Sequence, residues 1–421
     1  MTSADRHDVT DEALARVVRA ESGLIVASLH RRIGDFDVAE EAVQEAVAAA
    51  LRSWRVDGVP PSPGGWLATA AWRKAIDLLR VRARGRRLLG RLEQQPSFGS
   101  ASTASVWTES AGAESGWLED RVGPDERLPM LFACCHPALA VEARLALTLR
   151  AVVGLPTAQI ARAFLVPEAT MAQRLVRAKR KITVAGIPFT VPEADQLPGR
   201  LDDVLTVIAV AYDAGYLDPG AEALAEDAIW LAELVVRALA DEPEAWGLLA
   251  LLTFQSSRTA ARFAPDGRLL TLAEQDRTRW DRVAVARADG YLTRAAELRR
   301  PGRFQLQAAI AGCHASAATA ADTDWLEVLL LHEMLATFDP SPVLRLNRAI
   351  ALAEVAGPAA ALTDLEGLTE RLANYHLLHA TRAVLLTRLG ELDAARQANE
   401  RALALAPNRA EQLLLRSRLG D

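Results

Sequence analysis

Long hydrophobic runs are missing from this chain. The most apolar stretch, Ala245–Phe254, has ten residues, whereas about 20 are needed to cross a bilayer. Met1–Glu12 is polar and acidic with no apolar core, so no secretory leader and no membrane association are expected. Only three cysteines occur, Cys134, Cys135 and Cys313. An odd, small number in a large chain excludes a disulfide framework, fits a reducing interior and predicts a cytoplasmic protein. Alternating Val, Ile and Thr are scarce, which excludes a sheet-based fold. There is no G-x-G-x-x-G, no phosphate-binding loop and no H-E-x-x-H; His332-Glu333 lacks the second His. Cys134-Cys135-His136 lacks the two-residue gap that lets a chain wrap around zinc, so these thiols are expected in helix packing. His376 and His379 stand at i and i+3, and the next carboxylate in sequence, Glu391, is twelve residues beyond His379. They read as surface or packing histidines. No metal, no cofactor and no enzymatic activity are expected.

What the 421 residues do contain is apolar side chains at spacings of three and four from end to end, the pattern of a nearly all-α protein. A length of this size predicts about three domains. Gln94–Gly116 breaks the periodicity with six Ser, three Gly and no basic residue, the composition of a flexible linker. Pro188, Pro192 and Pro198 mark a second boundary. The expected organisation is a helical block over 11–92, a linker over 93–126, a short helical block over 127–186 and a long helical region over 187–421. In that last region, Leu389-Gly390-Glu391-Leu392-Asp393-Ala394-Ala395, with Ala402-Leu403 and Pro407-Asn408 behind it, has the spacing of a tetratricopeptide unit. Gly357-Pro358-Ala359-Ala360-Ala361 lies 33 residues upstream of its Gly390. A tetratricopeptide-like helical array is expected there.

The formal net charge is −6, which alone argues against a nucleic-acid partner. It is unevenly spread: residues 1–181 carry 25 Lys/Arg and 21 Asp/Glu, and the remainder carries 23 and 33. Such asymmetry points to a nucleic-acid-binding part joined to something else.

Three helices focus that inference. In Asp37–Trp54, Ala39, Val43, Ala46, Val47, Ala50 and Trp54 share one face and Asp37, Glu41, Gln44 and Glu45 the opposite one. In Trp66–Arg87, an apolar stripe of Trp72, Ile76, Leu79 and Ala83, with Ala68 and Ala75 beside it, runs next to a face with Arg73, Asp77, Arg80 and Arg84; eight Lys/Arg and one acid fall between residues 72 and 91. Basic side chains neutralise phosphates, and Trp66 at the start of that face offers a ring on which a base can stack. Third, Thr157–Phe164, the turn Leu165-Val166-Pro167 and Glu168–Lys181 form a helix-turn-helix candidate. Its Met171, Leu175 and Ala178 face inward. Thr170, Gln173, Arg174, Arg177, Arg180 and Lys181 face outward, where the earlier residues can read base edges and the later ones hold phosphates.

In this order the three elements resemble the extracytoplasmic-function (ECF) group of the sigma-70 family of RNA polymerase sigma factors. Gly34–Glu45 is similar to that family's region-two helix, Trp66–Arg80 to its promoter-reading helix, and Thr157–Ala161 with Thr170, Arg174 and Arg177-Ala178 to its region four. Leu131–Leu139 and Phe164–Arg174 resemble a subgroup with a tetratricopeptide-like C-terminal extension. So do Trp280-Asp281-Arg282, Gln305–Ile310 and Asp339-Pro340-Ser341-Pro342.

The resemblance implies a factor that binds core RNA polymerase, recognises promoter DNA and initiates transcription. Asp37, Glu41, Gln44 and Glu45 would dock on the clamp of the largest subunit, and region four would meet the flap of the second largest. Arg73, Lys74, Asp77, Arg80 and Arg84 would lie along the minus-ten element, the loop Arg55–Gly65 would hold a flipped base, and Thr170, Gln173, Arg174, Arg177, Arg180 and Lys181 would face the minus-thirty-five element. Where many relatives have Arg-Asn-Arg, this chain has Trp72-Arg73-Lys74, so the Asn contact is absent. The extension would modulate activity, with a peptide, protein or small molecule as its ligand. Two other readings remain at this point: a helix-turn-helix regulator with a tetratricopeptide-like sensor, and a scaffold using the helical array alone.

Overall fold

The computed structural model describes residues 3–93, 127–164, 166–217 and 222–420. The expected linker Gln94–Gly116 lies outside them. Among the described residues the fold is all-α, with eighteen α-helices and a single isolated antiparallel bridge between Phe263 and Leu269. No helix there is long and apolar enough to cross a membrane. The chain divides into two compact units, residues 1–210 and 211–421.

The first unit begins with α1 (Ser3–Ile33), α2 (Phe36–Asp57) and α3 (Pro63–Glu93). Asp35 starts α2 by accepting the Val38 amide at 3.0 Å, satisfying one of the free donors at a helix N-terminus. Gly58, at φ 84, ends it. The helices interlock through small side chains. Ala39, Ala42, Ala46 and Ala50 of α2 and Ala71 and Ala75 of α3 are all fully buried, which lets the two helix axes approach closely. This shifts the expected stripe on α3: the fully buried row is Leu67, Ala71 and Ala75, while Trp72, Ile76 and Leu79 are half-buried. The expected loop Arg55–Gly65 is also shorter than its bounds. Residues 55–57 complete α2 and 63–65 begin α3, because Pro63 is tolerated in a first helical turn.

Next come α4 (Arg127–Cys134), α5 (Val141–Thr148), a π-helical turn (Leu149–Val153), α6 (Thr157–Ala163) and α7 (Glu168–Ala185). Gly154, at φ 86, closes the π-turn. Cys134 and Cys135 are fully buried, with the Cys135 Sγ 3.5 Å from the Thr148 hydroxyl. Then α8 (Leu197–Leu217) begins, and its first half is tied to α4 and α5: Arg200 donates to the Phe132 carbonyl at 2.6 Å and Arg144 meets Asp203 at 2.6 Å.

The second unit continues with α9 (Glu222–Ala238), α10 (Pro243–Ser256), α11 (Arg282–Glu297), α12 (Arg303–Ser316), α13 (Trp325–Leu335), α14 (Pro342–Val355), α15 (Pro358–Glu366), α16 (His376–Leu389), α17 (Leu392–Leu405) and α18 (Arg409–Leu419). Each of these helices packs on the next. The short stretches singled out in the sequence are helix starts. Asp281 accepts the Val283 and Ala284 amides beside the buried Trp280. Glu244 accepts the Phe304 and Gln305 amides at the head of α12. Ser341 caps α14 ahead of Pro342. Gly357 and Gly390 both have positive φ between helices, the conformation their turns require.

Candidate nucleic-acid interface

Asp37, Glu41, Gln44 and Glu45 are all exposed on α2, as the helical spacing dictates. Each has a partner. Arg82 of α3 bonds both Glu41 and Asp35 at 3.1 Å, Lys74 lies 3.6 Å from Glu45, and Gln44 donates to Glu40 at 2.7 Å. Lys179 of α7 lies 3.5 Å from Asp37. The exposed pairs among these, Arg82 with Glu41 and Lys74 with Glu45, contribute at most about 1 kcal/mol each.

On α3, Arg73, Asp77, Arg80 and Arg84 are exposed at spacings of four, three and four, a single stripe along the helix. Arg80 and Asp77 form an exposed i, i+3 pair at 3.5 Å. Lys74 stands off that stripe, half-buried and turned toward Glu45. Trp66 packs edge-on against the buried Trp54, with ring centroids 5.6 Å apart, so its ring is partly committed to the protein.

The helix-turn-helix is formed by α6 and α7, with Met171, Leu175, Ala178 and Ile182 buried. Thr170, Gln173, Arg177, Arg180 and Lys181 are exposed. Arg174 is half-buried with its guanidinium 5.7 Å from the centre of the Phe164 ring, a cation–π contact that restrains where it can point.

Two residues escaped the sequence reading. Arg82 is the bridge between α3 and α2. Glu40, next to the acidic face in sequence, is buried and bonded by Arg150 Nε at 2.6 Å and by Lys179. The histidine spacing also misled in one respect: the fold brings Glu411, 35 positions downstream, to 3.0 Å from His376. His379 contacts the Ala373 carbonyl at 2.9 Å. Among the described residues no cluster of three or more metal-ligating side chains occurs. Burial pushes the Cys134 thiol well up and that of Cys135 to about 12, so both are held as neutral thiols.

An exposed acidic row on α2, an exposed basic row on the α3 packed against it and a helix-turn-helix are the parts of a DNA-binding factor of the transcription apparatus. Residues 17–85 match the family model for Sigma-70 region 2, and residues 130–182 that for Sigma-70, region 4. Residues 200–296 match a family of unknown function, DUF6596. An uncharacterized protein of Rhizobium meliloti (strain 1021) is 40% identical over 399 residues, 94% of this chain and 92% of the relative. The chain belongs to the sigma-70 family of RNA polymerase sigma factors, as an ECF-like member with a helical C-terminal extension. Its partners are therefore core RNA polymerase and promoter DNA. A helix-turn-helix regulator acting without polymerase leaves the region-two match unexplained.

Proposed function

We propose that the division of labour follows the exposed faces. Asp37, Glu41, Gln44 and Glu45 dock on the clamp of the largest polymerase subunit. Arg73, Lys74, Asp77, Arg80 and Arg84 line the minus-ten element, with residues 58–62 beside the flipped base. Thr170, Gln173, Arg174 and Arg177 enter the major groove of the minus-thirty-five element, where Arg180 and Lys181 hold phosphate. The region-four block, residues 127–186, meets the flap of the second-largest subunit. Residues 11–92 act as the region-two block, 93–126 as the tether, and 187–421 as a tetratricopeptide-like regulatory array whose ligand is a peptide, protein or small molecule. The protein works in the cytoplasm and catalyses no reaction of its own.

The observation that carries this reading is the separation of charge on two helices that touch: an exposed acidic row on α2 and an exposed basic row on α3. Such a pair lets one block bind a protein with one face and a polyanion with the other. Strand opening then requires only that exposed bases find a protein pocket, without a nucleophile or nucleotide hydrolysis. Two weak, salt-sensitive readers joined by a tether gain affinity through effective concentration. A photo-crosslinker replacing Glu41 is expected to trap the largest polymerase subunit, and one replacing Gln173 the upstream promoter element. Absence of both adducts in an active complex would overturn the assignment.

A further inference from the structure

Trp280-Asp281-Arg282 does more than start α11: its Trp280 walls a small cavity of the second unit, partly open to solvent. The other walls are Phe254 of α10, Arg258 just beyond it, and Ala311, His314 and Ala315 of α12. We propose that this cavity binds the carboxylate head of a small organic acid and that the extension takes its regulatory ligand there. The second half of this statement rests on the regulatory reading of the extension above.

Uncompensated charge carries the inference. No lining residue is acidic, and three arginines gather around the cavity without a bonded carboxylate among the described residues. Arg277, 7% exposed, has its guanidinium 4.6 Å from the centre of the Trp280 ring and donates to the His314 and Ala317 carbonyls at 2.5 and 2.8 Å. Arg282 donates to the Ala315 carbonyl at 3.1 Å. Arg258 donates through Nε to the Tyr216 hydroxyl at 3.0 Å, and its two terminal nitrogens have no acceptor among the described residues. Asp322 acts on Arg277 only through space, while its carboxylate accepts from Thr319. A buried guanidinium without a counter-charge is disfavoured, and an anion in this cavity relieves it. His314 registers the same field: burial first, then Arg258, Arg277 and His332, lower it to about 4.

The hydrogen-bonding groups agree with the charge. Trp280 is 4% exposed, and its Nε1 is buried without an acceptor. An indole N–H can only donate. Trp280 and Arg258 thus bring unmatched donors to one cavity, and a guanidinium fork matches the two oxygens of a carboxylate. Size narrows the class further. The cavity is about 10 Å³, room for roughly one water-sized group. A carboxylate oxygen fits there, whereas a phosphate or sulfate with its four oxygens does not. Phe254, Ala311 and Ala315 add an apolar wall on which a short alkyl chain packs.

The test follows the Trp280 indole N–H resonance of the full chain, identified by its loss in Trp280→Phe. The chain is titrated with propionate, with neutral propionamide and with phosphate at constant ionic strength. Propionate is expected to shift the resonance saturably and the other two to leave it in place. Arg258→Gln is expected to weaken propionate binding about tenfold or more. Tyr216→Phe, which removes the bond to Arg258 but keeps its charge, is expected to retain binding. Where Arg258→Gln fails to fold, the contrast of propionate with propionamide on the unaltered chain decides the matter. A resonance that propionate moves no more than propionamide does overturns the site, since the cavity then holds water alone. Undiminished binding by a folded Arg258→Gln protein also overturns it, and a phosphate shift equal to that of propionate overturns the carboxylate assignment. Saturable propionate binding that leaves promoter-specific transcription unchanged upholds the site and contradicts the regulatory reading of the extension instead.

Discussion

Lys74 of α3 lies 3.6 Å from Glu45 of α2, so a residue of the proposed promoter face and one of the proposed polymerase face share a bond. With Arg82 bonded to Glu41 and Asp35, the two surfaces meet along one seam. Under the proposed assignment, polymerase docking on α2 is expected to disturb the basic helix beside it through these side chains.

Reversing one charge on this seam separates binding from stability. Glu41→Lys is expected to weaken core polymerase binding at least tenfold, about 1.4 kcal/mol. Its exposed pair with Arg82 contributes only about 0–1 kcal/mol, so the melting temperature of the variant should shift little. Fluorescence anisotropy against core polymerase and a thermal melt measure the two effects.

On α7, groove contacts and phosphate contacts are expected to fail differently. Arg177→Ala should cost about 1–3 kcal/mol on the preferred promoter and relax the choice of base, whereas Lys181→Ala should weaken all promoters alike and lower the salt slope by about 1. Titrating holoenzyme on promoter variants at several salt concentrations distinguishes them.

The extension carries a pH dependence of its own. Burial, together with nearby Arg258, Arg277 and His332, lowers His314 to about 4. Its folded value thus lies below the unfolded one of 6.5. Its contribution is fully present above pH 6.5 and is lost as pH falls from 6.5 toward 4, where the unfolded chain takes up a proton that the folded chain refuses. The full effect is about 3 kcal/mol at most. His314→Gln is expected to flatten this part of the stability profile in urea unfolding series at pH 7, 6 and 5.

The thiols are expected to be inert. With Cys134 and Cys135 fully buried, and burial raising Cys135 and Cys313 to about 12, a thiol-specific chromogenic reagent at pH 7.5 should label none of the three rapidly, and all three once the chain is unfolded. Rapid labelling of the native protein would contradict this packing.

Much of this was legible in the sequence because amphipathic spacing dictates which face of a helix reaches water. Asp37, Glu41, Gln44 and Glu45 are exposed for that reason, as are Arg73, Arg80 and Arg177. Periodicity fails where tertiary packing chooses between equivalent faces. It put the apolar stripe of α3 on Trp72 and Ile76 with Ala75 beside it, whereas the fully buried row is Leu67, Ala71 and Ala75. It gave no hint of Glu40, because a buried acid is recognisable only once Arg150, 110 positions away, is seen to reach it. Arg82 was likewise one basic residue among eight until its two acids were placed. Sequence distance also hid the contact of His376 with Glu411. In the extension, the stretches that resemble a subgroup proved to be caps and helix starts, such as Asp281 and Ser341.

The first half of α8 affects how the extension should be removed. Arg200 and Asp203 bond to α4 and α5, so a chain ended at residue 190 would lose support for the helix-turn-helix block itself. Ending the chain after Leu217 keeps those bonds, and a change in promoter-specific transcription by that shortened protein reports on residues 218–421.

The most direct test of the central claim is start-site mapping with purified core polymerase on a library of genomic fragments, with and without this protein. The account predicts discrete start sites, preceded by two common sequence elements, only when the protein is present. Identical transcript ends with and without it would contradict the account.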